Sequence, residues 1–317
     1  MLRKIAIRGR ALIYKRASNR DTKVIKELLG QDSLLFVDLG AAGGIEPRWE
    51  KISSMLRYVG FEPDSRAREN LPNIKFASYE LLSGVVGEKK AIQKLYLTND
   101  EGKSSNYHPN ETFLNRFQNP GRFTVIKEID LEANSIDAMI LEPMDFIKLD
   151  IQGSELNALK GAANSLSSVL GIEAEVEFAE LYDKQPLFGS LSEFLKKHDF
   201  EFIDFVNLRR WERNSFNGLG QLVFGDGLFL KSPEWVIEQK FSGPEIRKYL
   251  CILYLYNRFD LIEKIFDEQP NLHKALQRFY KSHKKKRNTL YSINKFNFLV
   301  SGVYKLLGLE YRSHVIY

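Results

Sequence analysis

Short apolar runs alternate with longer amphipathic stretches between residues 34 and 230. Apolar runs that end at turn-forming residues are typical of buried strands, whereas apolar residues spaced three and four apart indicate helices. The pattern predicts nine strands, at residues 34–37, 58–61, 83–86, 95–98, 125–129, 146–150, 171–178, 200–205 and 222–230. Strands that alternate with helices in this way indicate an α/β sheet.

Helices are predicted in this part of the chain at residues 49–56, 154–167 and 191–198. The last two strands are joined by a turn-rich segment, residues 214–220, which favours an antiparallel hairpin at the end of a mostly parallel sheet. After residue 231 the pattern is helical, with helices predicted at residues 233–240, 244–257, 259–268 and 272–283. We therefore divide the chain into a basic N-terminal helical segment (1–30), an α/β domain (31–231) and a helical C-terminal extension (232–317).

The charge is unevenly distributed, although the 317 residues together carry a net charge of +5. Residues 1–30 hold 9 basic and 2 acidic side chains, residues 232–317 hold 15 and 8, and the body between them holds 22 and 31. Because the body is acidic, nucleic acid is disfavoured as its ligand. The basic ends include the run Lys281–Arg287, followed by an apolar stretch. The run predicts either a solvated loop between helices or, with the apolar stretch, a peripheral contact with an anionic membrane.

The only cysteine, Cys251, and five scattered histidines provide neither a disulfide framework nor the spacing of metal ligands. The sequence therefore predicts no metal site and a reducing compartment. The longest apolar run near the N-terminus, Ala11–Tyr14, is too short for a secretory signal. There is also no uninterrupted apolar stretch of about 18 residues that would span a membrane. We expect a cytoplasmic protein that associates at most peripherally with the inner face of the membrane.

The strongest chemical signal is the segment LLFVDLGAAGG at Leu34–Gly44, where a buried strand ends in an acid and a glycine-rich turn. Asp38 precedes the turn, and Gly40, Gly43 and Gly44 allow the backbone to come close to a ligand. The glycine spacing is not GxGxxG, and the acid would repel a phosphate. Both features argue against a dinucleotide.

A second acid, Glu62, ends the next strand in YVGFEPD, 22 residues after Gly40. A carboxylate at this place can accept both hydroxyls of a ribose, at the edge where α/β sheets bind nucleoside cofactors. The turn, the acid before it and Glu62 together predict a binding site for S-adenosylmethionine.

Three motifs, VDLGAAGG, GFEPD and DFIKLDIQGSELNALKGA, occur in an order that resembles the FkbM family of S-adenosylmethionine-dependent methyltransferases. The resemblance covers roughly residues 33–230 and implies the Rossmann-like class I methyltransferase fold, with a seven-stranded, mostly parallel sheet and an antiparallel final hairpin. It also implies methyl transfer to a hydroxyl oxygen, in bacterial proteins that act on sugars, surface glycans or secondary metabolites. We therefore expect a bacterial O-methyltransferase that methylates a sugar hydroxyl of a glycan, a glycolipid or a related metabolite.

The turn and the resemblance together indicate which residues contact the cofactor. These are Asp38, Gly40, Ala41, Gly43, Gly44, Glu62, Ser83, Gly84 and Asp150. In one place the chain departs from the family, because Gln152 in KLDIQGSE stands where KIDVEGAE is usual. The change removes a negative charge near the reaction centre, which argues against carrying over a metal-assisted mechanism.

Three residues are candidates for acid/base chemistry. Asp150 follows a buried strand at the ligand-binding edge, where it can contact the cofactor's amino group, accept the acceptor's proton or cap the next helix. Glu173, Glu175 and Glu177 share one face of a strand, and Glu177, near its end, is the second candidate unless this end is simply solvated. His108, in a polar loop, is either the third candidate or a solvated side chain.

Two other functions stay open beside transfer to a small-molecule or glycan acceptor. A non-catalytic nucleoside-binding or scaffold protein would keep the fold without turnover, and the change at Gln152 favours it. A nucleic-acid methyltransferase would use the basic ends, but the chain lacks the Asn-Pro-Pro-aromatic motif for a flipped adenine. Cys251 also lies outside any nucleophile motif for cytosine.

Overall fold

The computed structural model describes residues 21–213, 220–241, 243–289 and 291. The chain divides into two compact units. One consists of Asp32–Val236, and the other combines the residues up to Gln31 with those from Ile237 onward. The first unit contains the strands and the cavity described below, and the described part of the second is helical. The three-part division predicted from composition stays a prediction.

The described residues form ten strands, of which seven belong to one large sheet. The strands are β1 (Leu34–Leu39), β2 (Leu56–Phe61), β3 (Ser78–Leu82), β4 (Val85–Val86), β5 (Ala91–Thr98), β6 (Val125–Asn134), β7 (Phe146–Leu149), β8 (Gly171–Glu177), β9 (Phe200–Trp211) and β10 (Gln221–Lys231). The large sheet has the order β3, β2, β1, β7, β8, β10, β9, and β10 is antiparallel to both of its neighbours while the other pairs are parallel. The predicted mostly parallel sheet with an antiparallel final hairpin is confirmed.

The helices are α1 (21–29), α2 (Pro47–Glu50), α3 (Ser65–Glu69), α4 (Glu111–Leu114), α5 (Ile136–Met139), α6 (Glu155–Lys160), α7 (Phe188–Lys196), α8 (Pro233–Glu238), α9 (Pro244–Leu255), α10 (Phe259–Glu268), α11 (Pro270–Ala275) and α12 (277–289). Short 3-10 helices lie at Ser53–Met55, Glu101–Lys103, Pro120–Phe123 and Ser165–Ser167. Within the described residues, no helix combines the length and apolar character needed to cross a membrane.

Two predicted helices are shorter than expected. The helix predicted at 49–56 is replaced by α2 and a 3-10 helix, because Leu56 already pairs with Leu34 at the start of β2. The helix predicted at 154–167 ends with α6 at Lys160. A separate 3-10 helix follows, because Asp137 accepts hydrogen bonds from the backbone N–H groups of Asn164 and Ser165, each at 3.0 Å.

The strand predicted at 83–86 is also placed differently. The strand that pairs with β2 is β3, which ends at Leu82, and Gly84 separates it from the two-residue β4. Strands β4, β5 and β6 form a second, three-stranded sheet, in which the strands predicted at 95–98 and 125–129 lie. The large sheet therefore contains one strand, β3, that the sequence pattern does not predict.

The two faces of the large sheet differ in character. One face packs on a purely apolar cluster that includes Val37, Ile147 and Ile172. The other carries aromatic side chains, in which Trp49 lies 4.7 Å from both Phe36 and Phe146 between ring centroids. All six residues of β1 are buried. Burial on both faces fixes the register of the central strands, and therefore the positions of the residues at their carboxyl-terminal ends.

The basic run Lys281–Arg287 lies on α12 and not in a solvated loop. Arg287 Nη1 donates to Glu263 Oε1 at 2.9 Å, and Lys286 Nζ lies 3.0 Å from Asp21 Oδ2. Part of the basic charge is thus neutralised within the helical unit. The predicted membrane contact stays a prediction, because residues 1–20 and the apolar stretch up to residue 309 lie outside the described residues.

Candidate cofactor site and catalytic centre

A cavity of about 260 Å³ lies at the carboxyl-terminal ends of β1, β2 and β7. This edge is where parallel sheets of α/β proteins bind ligands. Four of the predicted contacts line the cavity, namely Gly40, Glu62, Gly84 and Asp150. The sequence therefore locates this cavity through the residues that end its strands.

The glycine turn after β1 is pressed against the end of β7. Gly40 has a φ of +84°, and a Cβ atom at this position would lie 1.9 Å from the carbonyl oxygen of Asp150. Gly43 and Gly44 have φ values of +79° and +82°. The N–H of the buried Ala41 donates to the Phe61 carbonyl at 3.1 Å. Ala41, Gly43 and Gly44 shape the turn without belonging to the cavity lining.

Glu62 is the acid that β2 delivers to the cavity wall, where it is 5% exposed. Burial raises the pKa of Glu62 to about 7. Hydrogen bonds from the backbone of Asp64 and Ala42 oppose this shift, because they stabilise the charged carboxylate. The N–H of Asp64 donates to Glu62 Oε1 at 2.9 Å. A ligand that donates hydrogen bonds to this carboxyl group would stabilise its charged form.

Asp64, two residues later, lines the same cavity, but its carboxylate already accepts hydrogen bonds from a neighbouring residue. It caps α3 by accepting the N–H of Arg66 at 3.0 Å, and the Arg66 guanidinium also donates to it. Burial would raise the pKa of Asp64, but these hydrogen bonds and the Arg66 charge outweigh burial and lower it. Asp64 is not among the site residues predicted from the sequence, although an acid directly before a helix, as in GFEPD, indicates a helix cap.

Asp38 lies beneath the turn and not in the cavity lining. Alternation along β1 directs its side chain to the aromatic face of the sheet, because Val37 and Leu39 face the apolar cluster. There the hydroxyl of Tyr58 donates to Asp38 Oδ2 at 2.8 Å. Burial raises the pKa of Asp38, although Lys148 and Tyr58 oppose this effect. Asp38 thus has protein partners on this face, and its predicted contact with the cofactor stays a prediction.

Lys148 connects Asp38 to the catalytic candidate Asp150. Its Nζ lies 3.6 Å from Asp38 Oδ1 and 4.0 Å from Asp150 Oδ2. Burial would lower the pKa of Lys148, but the two carboxylates outweigh burial and raise it, so that the lysine stays charged. Lys148 is not among the residues predicted from the sequence, although a lysine inside the apolar run FIKL indicates a counter-ion for a nearby acid.

Gln152 is the centre of a hydrogen-bond network beside Asp150. Its Nε2 donates to Asp150 Oδ1 and to Glu175 Oε1, each at 2.8 Å. Its Oε1 accepts the hydroxyl of Tyr182 at 2.8 Å and lies 3.5 Å from Lys103 Nζ. Gln152 has a φ of +53°, an unfavourable region for a non-glycine residue. A glutamate at this position would place a third carboxylate beside Asp150 and Glu175, whereas the amide of Gln152 donates hydrogen bonds to both.

The alternating glutamates of β8 are not solvated. Glu173, Glu175 and Glu177 are 3%, 6% and 2% exposed, so the alternative of a solvated strand end is wrong. Burial and neighbouring carboxylates raise the pKa values of Glu175 and Glu177. Glu175 contacts the hydrogen-bond network around Asp150 through Gln152, whereas Glu177 does not line the cavity. The role predicted for Glu177 as an acid or base stays a prediction.

Two predicted residues are not brought to the cavity wall. The ring of His108 packs edge-on against Tyr96 at 5.1 Å between centroids, and its Nδ1 lies 3.0 Å from the Pro109 carbonyl oxygen. Ser83 is exposed, in the connection that follows β3. Neither is among the described residues that line the cavity. A side chain's place in a loop does not determine its direction, which is why the sequence could not separate these residues from Gly84.

Three carboxylates near Lys148 have a geometry that a divalent cation can use. One oxygen each of Glu46, Glu173 and Asp226 lies within 4.8 Å of the others. Burial, followed by the charges of Asp150 and Glu46, raises the pKa of Asp226 to about 6. The positive charge of Lys148 opposes this shift. The absence of a metal, expected from the sequence, stays a prediction.

The comparisons with known proteins agree with the motifs. A family model described as the methyltransferase FkbM domain matches residues 38–202. A search of curated proteins gave no match.

Solved structures provide similar chains at low identity. A methyltransferase FkbM from Methylobacillus flagellatus is 17% identical, over 63% of this chain and 44% of that one, with a TM-score of 0.37. A magnesium protoporphyrin IX methyltransferase from Synechocystis with bound S-adenosylmethionine is 9% identical, over 68% and 80% of the two chains, with a TM-score of 0.32. An rRNA methylase from Streptococcus thermophilus is 12% identical, over 66% and 93%, with a TM-score of 0.30. This chain thus spans less than half the length of the Methylobacillus protein.

Proposed function

This chain belongs to the FkbM methyltransferase family, and from this premise we propose that it transfers a methyl group from S-adenosylmethionine to a saccharide hydroxyl. The saccharide would be part of a glycan, a glycolipid or a related metabolite. The observation that carries the proposal is the cavity whose wall contains both Glu62 and Asp150, at the edge of the sheet beside the glycine turn. A bacterial origin and a cytoplasmic location stay predictions.

The residues around the cavity fit this cofactor. Glu62 would accept the two ribose hydroxyls, since a buried carboxyl group with a pKa of about 7 gains from donors. Gly40 would let the backbone approach the cofactor, and its lack of a Cβ atom is already required by Asp150. The apolar wall near Gly84, which includes Val86 and Leu95, would receive the adenine ring.

Proton removal falls to Asp150 in this proposal. The bound cofactor supplies an electrophilic methyl group on a positively charged sulfur. As the acceptor oxygen would form its bond to the methyl carbon, the carbon–sulfur bond would break and S-adenosylhomocysteine would leave. Asp150 would accept the hydroxyl proton, because the pKa of a free hydroxyl lies far above 7. Gln152 and Lys148 hold the Asp150 carboxylate from two sides, at 2.8 Å and 4.0 Å. Fixed positioning of this kind can supply a large part of a rate enhancement.

The cofactor assignment is tested by calorimetric and thermal-shift titrations with S-adenosylmethionine and S-adenosylhomocysteine. Ligand at about 100 times its dissociation constant adds about 2.7 kcal/mol of apparent stability. The wild type and a control variant, Glu80→Gln, should show this gain, since Glu80 is an exposed acid on β3. Glu62→Gln should lose most of it. Absence of binding to the wild type would remove the cofactor assignment, and equal binding to Glu62→Gln would remove the role of Glu62.

The acceptor class is tested by methyl transfer from labelled S-adenosylmethionine to a panel of saccharides and to RNA. We expect transfer to saccharides and a loss of transfer, with retained cofactor binding, in Asp150→Asn. Tight cofactor binding without transfer to any acceptor would favour the non-catalytic alternative. Transfer to RNA alone would favour the nucleic-acid alternative.

A further inference from the structure

Two cationic side chains near the cavity have no carboxylate partner among the described residues. Lys103 lines the cavity, and the one hydrogen bond of its Nζ is the 3.5 Å contact with Gln152 Oε1. The guanidinium of Arg122 lies 4.5 Å from the ring centroid of Trp211, and its Nε is buried with no hydrogen-bond acceptor. Neither side chain has a carboxylate oxygen within 4.0 Å in the described part of the chain.

Three other cations of the same unit illustrate pairing with carboxylates. Arg66 forms an ion pair with Asp64 at 2.5 Å, Arg57 pairs with Glu142, and Lys148 lies between two carboxylates. Residues 31–231 contain 31 acidic and 22 basic side chains, so partners are in excess. A partly buried charge is stabilised by a counter-charge, so the place of Lys103 in the cavity wall and the buried Nε of Arg122 make these two cations candidates for binding an anionic ligand.

Both cations rest on aromatic rings that the topology brings to the ligand-binding edge. Strand β9 runs parallel to β8, because both are antiparallel to β10, and Trp211 is its last residue. Phe224 pairs with Glu177, the last residue of β8. The Lys103 ammonium lies 5.7 Å from the Phe224 ring, and the two rings are 6.0 Å apart between centroids. Lys103, Phe224, Trp211 and Arg122 thus form a row of neighbouring side chains that starts at the cavity, which we call the cationic ledge.

The chemistry of the cationic ledge suits an oxyanion. A guanidinium that stacks on a ring keeps its in-plane N–H groups for a carboxylate or phosphate, which it can bind through two parallel hydrogen bonds. Burial lowers the pKa of Arg122, although the negative charge of Asp100 opposes this shift. Lys103 adds a second positive charge on the side nearest to Asp150, through Gln152.

We propose that the cationic ledge binds an anionic group of the acceptor, a phosphate or a carboxylate carried by the saccharide whose hydroxyl is methylated. The inference rests on the proposed function and narrows its substrate class. The oxyanion lies against Arg122 and Lys103, and the sugar ring packs between the ledge and Asp150. Neutral saccharides lack this contact and bind more weakly.

The test uses the full chain saturated with S-adenosylhomocysteine and titrates three probes by calorimetry. The probes are glucose 1-phosphate, glucuronate and the neutral methyl glucoside, so that phosphate and carboxylate are compared separately. We expect at least one anionic probe to bind about tenfold or more tightly than methyl glucoside, because hydrogen bonds to charged groups contribute about that much. The preference should decrease as salt is raised.

Variants assign the binding to the ledge. Arg122→Gln and Lys103→Gln should each weaken the anionic probe about tenfold and leave methyl glucoside unchanged. Arg57→Gln is the matched control, since it removes the same charge at the opposite end of β2. If Arg122→Gln does not fold, Arg122→Lys should still weaken binding of the anionic probe, because lysine keeps the charge but lacks the paired N–H donors of the guanidinium.

Failure of this inference is distinguishable from failure of the proposed function. No binding of S-adenosylhomocysteine would contradict the proposed function. Binding of S-adenosylhomocysteine together with equal affinity for anionic and neutral probes would overturn the ledge. A loss of S-adenosylhomocysteine binding in Lys103→Gln, with the anionic probe unaffected, would overturn the role of Lys103 in the ledge.

Discussion

Gly40→Ala is expected to destabilise the α/β unit and to deform its cavity. A Cβ atom at residue 40 would lie 1.9 Å from the Asp150 carbonyl oxygen, 2.8 Å from its carbonyl carbon and 3.2 Å from Ile151 Cγ2. No rotamer change relieves the first two contacts, since both atoms belong to the backbone. The end of β7 must therefore move away from the turn, and the Asp150 side chain moves with it.

The magnitude follows from two separate costs. A non-glycine residue at positive φ costs about 1–2 kcal/mol, and an overpacked methyl group costs a further 1–3 kcal/mol or so. Gly43→Ala separates them, because Gly43 has a similar φ of +79° but nothing lies within 4 Å of its Cβ position. We therefore expect Gly43→Ala to lose about 1–2 kcal/mol of unfolding free energy and Gly40→Ala about 2–5 kcal/mol.

Tryptophan fluorescence during urea unfolding is a suitable assay. All three tryptophans, Trp49, Trp211 and Trp235, lie within Asp32–Val236, so the signal reports this unit alone. A parallel titration with S-adenosylhomocysteine should show weaker binding in Gly40→Ala than in Gly43→Ala. The reasoning is refuted if the two variants unfold at the same urea concentration, because the close contact would then have no cost.

Three further predictions concern the charged groups around the cavity. Cofactor affinity should fall as pH decreases through about 7, by up to tenfold per pH unit. The reason is that Glu62, whose pKa is raised to about 7, becomes protonated there and no longer accepts both ribose hydroxyls. Calorimetry from about pH 5.5 to 8.5 should show a flat profile in Glu62→Gln. Lys148→Met leaves Asp38 buried without its cation and should cost about 3–5 kcal/mol in urea unfolding, of which the double variant with Asp38→Asn should recover a part. Gln152→Glu adds an acid that burial keeps protonated in the folded state but not in the unfolded state. The folded state therefore binds more protons than the unfolded state, and its stability decreases as pH rises. The loss of stability should be larger at pH 8 than at pH 5. An equal loss at both pH values would contradict this environment for residue 152.

The sequence predicts most of the large sheet because its central strands are buried on both faces. All residues of β1 and β8 are buried, so both strands read as apolar runs even with three glutamates in β8. Strand β3 escapes prediction because it lies at the edge of the sheet, where Tyr79 is 53% exposed. The sequence also does not predict the separate three-stranded sheet, because hydrophobic periodicity indicates which residues are buried but not which strands pair.

The candidate site is predictable only where it follows from strand ends. Gly40, Glu62 and Asp150 each come directly after a buried strand, and parallel strands bring such residues to one edge. The network around Gln152 is not predictable in this way, because Lys103 and Gln152 are 49 residues apart and meet only through tertiary structure. The environment of Asp38 depends on which face of β1 it occupies, and its place before a glycine turn does not indicate this.

The acidity of residues 31–231 does not determine the charge that a ligand meets at the cavity. Asp38 and Asp150 flank the half-buried Lys148, so much of their charge is compensated within the protein. Lys103 and Arg122 have no carboxylate partner among the described residues, although the region as a whole has a net charge of −9. Interactions between charges weaken with distance and with screening by salt, so pairing within a few ångströms decides what binds. One edge of an acidic sheet can therefore receive a cationic methyl donor at its carboxylates and an anionic acceptor at Lys103 and Arg122.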